Sequence, residues 1–244
     1  MQKYYFRPII FKNLKTVKIS SFHIIFICLV FFAVVSCRQS SRNGVQTSSE
    51  IADTEEYPAF EGWELLTDKD TLSRWEIIQY GGEGTPYMKG QTLVLPMAVN
   101  GTLTGVRWAG DSLPVNNYMV AFEAQRTEGH DFFAGLTFSC NDTQATLIIG
   151  GWAGSTCGLS SIDGYDASEN ETTTFIHFKE NQWYPVLLRV TPDSIRAMVD
   201  TVKVVDIATA GRRIHLRGGT QEVSLGLSTY LTTGEIRYLR LKRW

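Results

Sequence analysis

Apolar and polar residues alternate with a period of two along much of the chain after residue 57. The clearest stretch is 183–207. Val186, Leu188 and Val190 alternate in a first run, Pro192-Asp193 supplies a turn, and Ile195, Ala197 and Val199 alternate in a second. Asp200-Thr201 then turns the chain into 202–207, so the pattern predicts a three-stranded antiparallel meander. Runs rich in β-branched and aromatic residues predict further strands at 91–95, 104–108, 118–126, 132–140, 145–149, 174–178, 223–229 and 235–242. No stretch of ten or more residues has apolar positions at helical spacing. About a dozen strands without a second break in composition predict a single all-β domain over 57–244: two antiparallel sheets packed face to face, a sandwich or jelly roll.

The first 36 residues follow another pattern. Lys3, Arg7, Lys12, Lys15 and Lys18 precede a nearly pure apolar run at 24–35, a basic region and hydrophobic region in the order of an export signal. The apolar run is shorter than the ~20 residues a spanning helix needs, and it ends at Val34-Val35-Ser36-Cys37. A small residue directly before cysteine resembles the lipobox of bacterial lipoproteins, which implies cleavage before Cys37, lipidation of its thiol and attachment to a membrane of the bacterial cell envelope. Residues 38–56 are small, polar and free of aromatics, so 37–56 reads as a flexible tether.

Removing the signal takes five bases and no acid, leaving 18 Lys+Arg against 25 Asp+Glu, a formal net charge of −7. That balance excludes a nucleic-acid partner, which needs clustered bases. It also predicts no polybasic surface for anionic lipid, so that membrane attachment falls to the acyl chains on Cys37. Cys140 and Cys157 fall on separate predicted strands with a third between them, a spacing that favours free, half-buried thiols over a bridge.

Five blocks, in order, resemble the family once called DUF1080 and now the 3-keto-disaccharide hydrolase domain. Phe60-Glu61-Gly62-Trp63-Glu64-Leu65-Leu66 with Asp70-Thr71-Leu72-Ser73-Arg74-Trp75 is similar to its opening, and Tyr118-Met119-Val120-Ala121-Phe122-Glu123 to an early strand with an acidic residue. Asn181-Gln182-Trp183-Tyr184 precedes the meander, Val204-Val205-Asp206 closes it, and Ile236-Arg237-Tyr238-Leu239-Arg240-Leu241 resembles the terminal strand. The resemblance implies a concanavalin A-like jelly roll, a carbohydrate substrate or ligand, no cofactor, and cleavage of glycosidic bonds in sugars carrying a ketone at C3. Such a ketone acidifies the C2 proton, so a base, donors for the enolate oxygen and an acid for the leaving oxygen would suffice. The chain departs from the family at two places, with Leu147-Ile148-Ile149 where a Glu-x-Gln pair is usual and Ser228-Thr229-Tyr230 where Gln-Asp-His is usual.

These considerations nominate site residues. Glu123 and Gln125 share one face of their strand with Met119 and Ala121; the family position makes Glu123 a candidate base on the sugar-bearing sheet and Gln125 a candidate ligand, against a solvated outer face. His177, predicted on a strand, is a candidate acid or base, against a structural histidine. Trp152, with Gly150-Gly151 before it and Gly154 after it, and Trp108 are candidates to stack on a sugar ring or to pack as core. Arg237 shares parity with Leu239 and Leu241, which predicts an inward arginine needing a carboxylate partner, a candidate for substrate contact against a structural ion pair. Asp163, Asp166, Glu169 and Glu171 match no established calcium loop and read as an acidic surface turn. No metal site is predicted. An alternative to catalysis is a lectin-like module that captures glycan or holds an envelope partner.

Overall fold

The computed structural model describes residues 60–244; Cys37, the signal and the tether lie outside them. Fifteen strands follow in order: β1 Glu64–Leu65, β2 Trp75–Ile77, β3 Tyr87–Lys89, β4 Thr92–Leu95, β5 Leu103–Trp108, β6 Tyr118–Gly129, β7 Ala134–Cys140, β8 Thr143–Gly150, β9 Thr156–Ser160, β10 Thr174–Phe175, β11 Tyr184–Val190, β12 Ser194–Val199, β13 Val202–Ala208, β14 Leu225–Tyr230 and β15 Thr232–Arg243. They form an eight-stranded sheet in the order β13-β12-β11-β6-β15-β4-β3, with β1 beside β15, and a seven-stranded sheet in the order β10-β9-β8-β7-β14-β5-β2.

The alternation read from the sequence is the alternation that builds the core. Val186 pairs with Val199, Leu188 with Ala197 and Val190 with Ile195, so the apolar set of the meander lies on one face. That face meets Leu136 and Phe138 of β7, Leu147 and Ile149 of β8 and Leu225 and Leu227 of β14 in one buried cluster. Tyr118 Oη crosses the core to donate to the Ser139 carbonyl at 2.6 Å, satisfying its one polar atom. Cys140 on β7 and Cys157 on β9 are free and buried with β8 between them. Burial pushes both thiols up, to about 11 and about 12.

Three differences from the expected elements have local causes. Thr156–Ser160 forms β9, hidden from periodicity because every residue in it is buried and Gly158 interrupts it. The strand expected at 174–178 stops at Phe175, leaving His177 exposed beyond its end. In β15 the register shifts between Arg237 and Arg240, with Tyr238 at φ 55°. This bulge inserts one residue and reverses the parity, so Ile236, Leu239 and Leu241 point into the core while Arg237 points out.

Candidate glycan-binding cavity

The seven-stranded sheet turns small residues outward. Its outer face carries Gly135, Thr137 and Ser139 on β7, Thr146 and Ile148 on β8, Ser160 on β9 and Ser228 and Tyr230 on β14. The connection from β13 to β14 crosses this face: Ser161 N donates to the His215 carbonyl, Thr143 Oγ1 to the Ile214 carbonyl, and Gln221 Nε2 to the Gln79 carbonyl. Between sheet and connection lies a cavity of about 520 Å³, within the usual range for small-molecule sites.

Its floor is Thr146, Ile148, Ser160 and Ser228, and its walls carry Phe132, Tyr230, Trp152 and Arg217. Phe132 and Tyr230 stack with centroids 6.1 Å apart and an interplanar angle of 26°. Gly135 makes this possible, since a Cβ there would come within 3.0 Å of the Phe132 ring and 2.9 Å of Ser228 Oγ. Trp152 stands in the turn Gly151–Gly154, where Trp152 and Ala153 have φ of 47° and 68° and Gly150 precedes them at 77°. Left-handed backbone costs a non-glycine residue about 1–2 kcal/mol, so surrounding bonds must hold it. Asp131 does so from one side: its carboxylate accepts from Phe132 N at 2.8 Å and Ala153 N at 3.3 Å. Arg126, 7% exposed, does so from beneath, with Nη1 donating to the Gly154 carbonyl and Nη2 to the Phe178 carbonyl. Opposite the turn, Asp166 accepts from Ser160 Oγ and Ser161 Oγ and forms an ion pair with Arg217 Nε at 3.1 Å, with the Arg217 guanidinium 5.7 Å over the Trp152 ring.

The nominated residues divide between the two sheets. Trp152, 36% exposed, lines the cavity. Glu123 and Gln125 do not: they sit on the outer face of the eight-stranded sheet, across the sandwich from the cavity. Glu123 is bound by Arg237 Nη2 at 2.6 Å and Nε at 2.7 Å, and Gln125 donates to Glu235. Arg237 thus has the carboxylate partner expected of it, on the outside. His177 is exposed past β10 and does not line the cavity. Trp108 is core, packed edge-on against Trp75 at 5.2 Å with its indole N–H donating to the Asp111 carbonyl. The acidic turn is tied down by arginines as well as by its own backbone: Asp163 and Glu171 pair with Arg212, and Asp166 with Arg217. Among the described residues no three His, Cys, Asp or Glu side chains converge as a metal site.

Asp131, Phe132, Thr146, Ser160 and Arg217 were not nominated. Ile148, Ser228 and Tyr230 lie in the segments 147–149 and 228–230, where the sequence differs from the pattern it resembles, and all three line the cavity. Chemically the cavity offers flat rings for apolar C–H faces and hydroxyls for polar edges. Among the described residues its one lining carboxylate, Asp131, already accepts two backbone N–H groups.

No known protein-family profile matches the chain, and no curated protein sequence does. Solved structures of the same fold exist. A Crh5 transglycosylase in complex with NAG is 10% identical, covering 75% of this chain and 84% of that one, with a TM-score of 0.55. The exoplasmic/lumenal domain of VIP36 in its Ca2+/Man3GlcNAc-bound form is 11% identical, covering 78% and 91%, with a TM-score of 0.50. At this identity the likeness is one of fold, and the fold is the concanavalin A-like jelly roll of two antiparallel sheets.

Proposed function

We propose that the chain is an envelope lipoprotein, attached through Cys37, whose domain captures glycan in the cavity on the seven-stranded sheet without cleaving it. The observation that carries this reading is the lining: three aromatic rings around a floor of hydroxyls, with the one lining carboxylate committed to the backbone. Pyranose rings offer apolar faces for Trp152 and the Phe132–Tyr230 pair, and their hydroxyls can exchange hydrogen bonds with Thr146, Ser160 and Ser228. The structural likeness to a transglycosylase solved with NAG and to a domain solved with Man3GlcNAc agrees with a sugar ligand. Arg217 is offset by Asp166, and among the described residues Asp131 has no cationic partner, which points to neutral rather than acidic glycan.

Binding of neutral oligosaccharides, measured by calorimetry, should fall at least tenfold in Trp152→Ala, the usual scale for an aromatic anchor. Undiminished binding by that variant, or binding to no glycan at all, rejects the site. Lipidation is checked by mass spectrometry of the mature N-terminus from membranes, where an unmodified Cys37 rejects the anchor.

Hydrolysis of 3-keto-glycosides, which family membership would imply, requires a base and an acid reaching one substrate. Glu123 and Arg237 neutralise each other across the sandwich from the cavity, and Asp131 is held by backbone donors. Turnover of a 3-keto-glucoside that disappears in Asp131→Asn would restore the enzymatic reading.

A further inference from the structure

The outer face of the eight-stranded sheet carries a pattern that glycan capture does not use. Strand pairing sets Arg196, Arg189, Met119 and Lys242 side by side on β12, β11, β6 and β15, with Arg240 beside Ala121 in the next row. Rings alternate with these cations. Arg237 lies 4.1 Å from the Trp183 ring centroid and 5.0 Å from that of Tyr238, Arg240 lies 5.6 Å from Tyr238 and 3.8 Å from Phe60, and Arg189 lies 5.3 Å from Trp244. Phe60, Tyr238 and Trp244 remain 54%, 38% and 53% exposed. Tyr238 reaches the surface because the β15 bulge holds it at positive φ, a conformation that must be maintained against its cost.

Charge on this face is not balanced. Two of its acids are matched to particular cations, Glu123 to Arg237 and Asp206 to Arg196 and Lys203, while Glu64 at the β1 edge pairs with Arg243 and exposed Glu61 stands where the chain enters. Glu235 lies toward the other end of β15, bonded to Gln125. Arg189, Arg240 and Lys242 make no ion pair among the described residues; the arginines stack on rings, and Lys242 Nζ donates to the Glu61 carbonyl. Residues 60–244 hold 16 Lys+Arg against 21 Asp+Glu. A net-acidic domain has therefore gathered surplus positive charge on one side. The chain also enters here: Phe60, the first described residue, stacks on Arg240, and only 22 residues separate it from Cys37.

We infer that this face rests on an anionic phospholipid surface, Arg189, Arg240 and Lys242 meeting the phosphates while Phe60, Tyr238 and Trp244 sit at headgroup level. The net charge of −7 argued against a polybasic surface, but it averages over a molecule whose charges are segregated. Held this way, the domain turns its cavity away from the bilayer. The inference does not depend on the cavity's ligand, and it is tested without one.

The chain from residue 37 onward, carrying Cys37→Ser so that no acyl chain contributes, is sedimented with vesicles of phosphatidylglycerol and phosphatidylethanolamine or of phosphatidylcholine alone. It should partition onto the anionic vesicles only, and less as ionic strength rises. Arg189→Gln, Arg240→Gln and Lys242→Gln combined should reduce partitioning roughly a hundredfold, at about 1 kcal/mol for each basic group near the surface. If the triple variant melts below the parent, the single variants carry the same test at roughly fivefold each. Equal partitioning by variant and parent, or none onto anionic vesicles, overturns the inference. Binding to soluble polygalacturonate while vesicles are ignored overturns it in favour of an acidic glycan.

Discussion

The two outer faces of this sandwich share one core and one pattern of alternation, yet they present opposite chemistries. The seven-stranded sheet exposes glycine, serine and threonine beneath a crossing connection, so a cavity remains where bulkier residues would have filled it. The eight-stranded sheet exposes long cationic side chains stacked on rings, which cover its apolar positions; Leu187 is only 4% and Ala121 5% exposed although both point outward. Side-chain size thus separates a face that can enclose a small ligand from one that can only lie against a broad surface. The same strand period supports both, because alternation decides in or out and leaves the character of the outward residue unconstrained.

The largest effect should come from the part the faces share. Leu136 is fully buried between the sheets, and Leu136→Ala should cost about 2–5 kcal/mol in chemical denaturation. Glycan and vesicle binding should then be lost together, only where the protein unfolds. An effect confined to one face at full folding would mean that the sheets are not one cooperative unit. Trp152→Gly separates the faces more sharply. Glycine adopts φ 47° without the penalty that tryptophan carries there, so glycan binding should fall at least tenfold while the melting temperature holds or rises by a few degrees. A marked drop in melting temperature would make Trp152 a structural residue. Glu123→Gln should be smaller still. Its side chain is 33% exposed and its partner's 31%, so solvent screening limits the loss to about 1 kcal/mol, and glycan binding should not change. Abolished glycan binding would return Glu123 to the functional site.

How far the sequence discloses this comparison depends on the range of the signal. Alternation is local, and it reported the apolar face of β11 and β12 and the shared face of Glu123 and Gln125. It does not reveal which sheet a strand joins or which outer face stays open, so it leaves both readings of Glu123, sugar-bearing sheet and solvated outer face, open. The parity of Arg237 failed for a local reason: a bulge at Tyr238 looks like any other residue in sequence. β9 is not legible in the sequence because a strand buried on both faces has no alternation to show. The glycines around Trp152 surround a left-handed turn, and Ile148, Ser228 and Tyr230, in the two segments that differ from the resembled pattern, fall on the cavity lining. Asp131 and Arg217 come from connections on opposite sides of the cavity, and only the folded chain brings both to it.

The smallest expected effect follows from how charge is held on the eight-stranded face. Lys203 bonds the Asp206 carboxylate and Arg196 reinforces it, which keeps its pKa below the ordinary 3.8. A carboxylate with a depressed folded pKa stabilises the fold fully above its unfolded value, and that contribution disappears as pH falls through the folded one. The parent should therefore melt slightly above Asp206→Asn at neutral pH, by no more than about 1 kcal/mol for side chains this exposed. The two curves should converge below pH 3.8, once the parent's carboxyl is also protonated. A gap that persists in strong acid would mean that Asp206 acts through packing rather than charge. The Arg196–Asp206–Lys203 contact would then no longer count as compensated charge, and the balance on which the lipid-facing assignment rests would need to be redrawn.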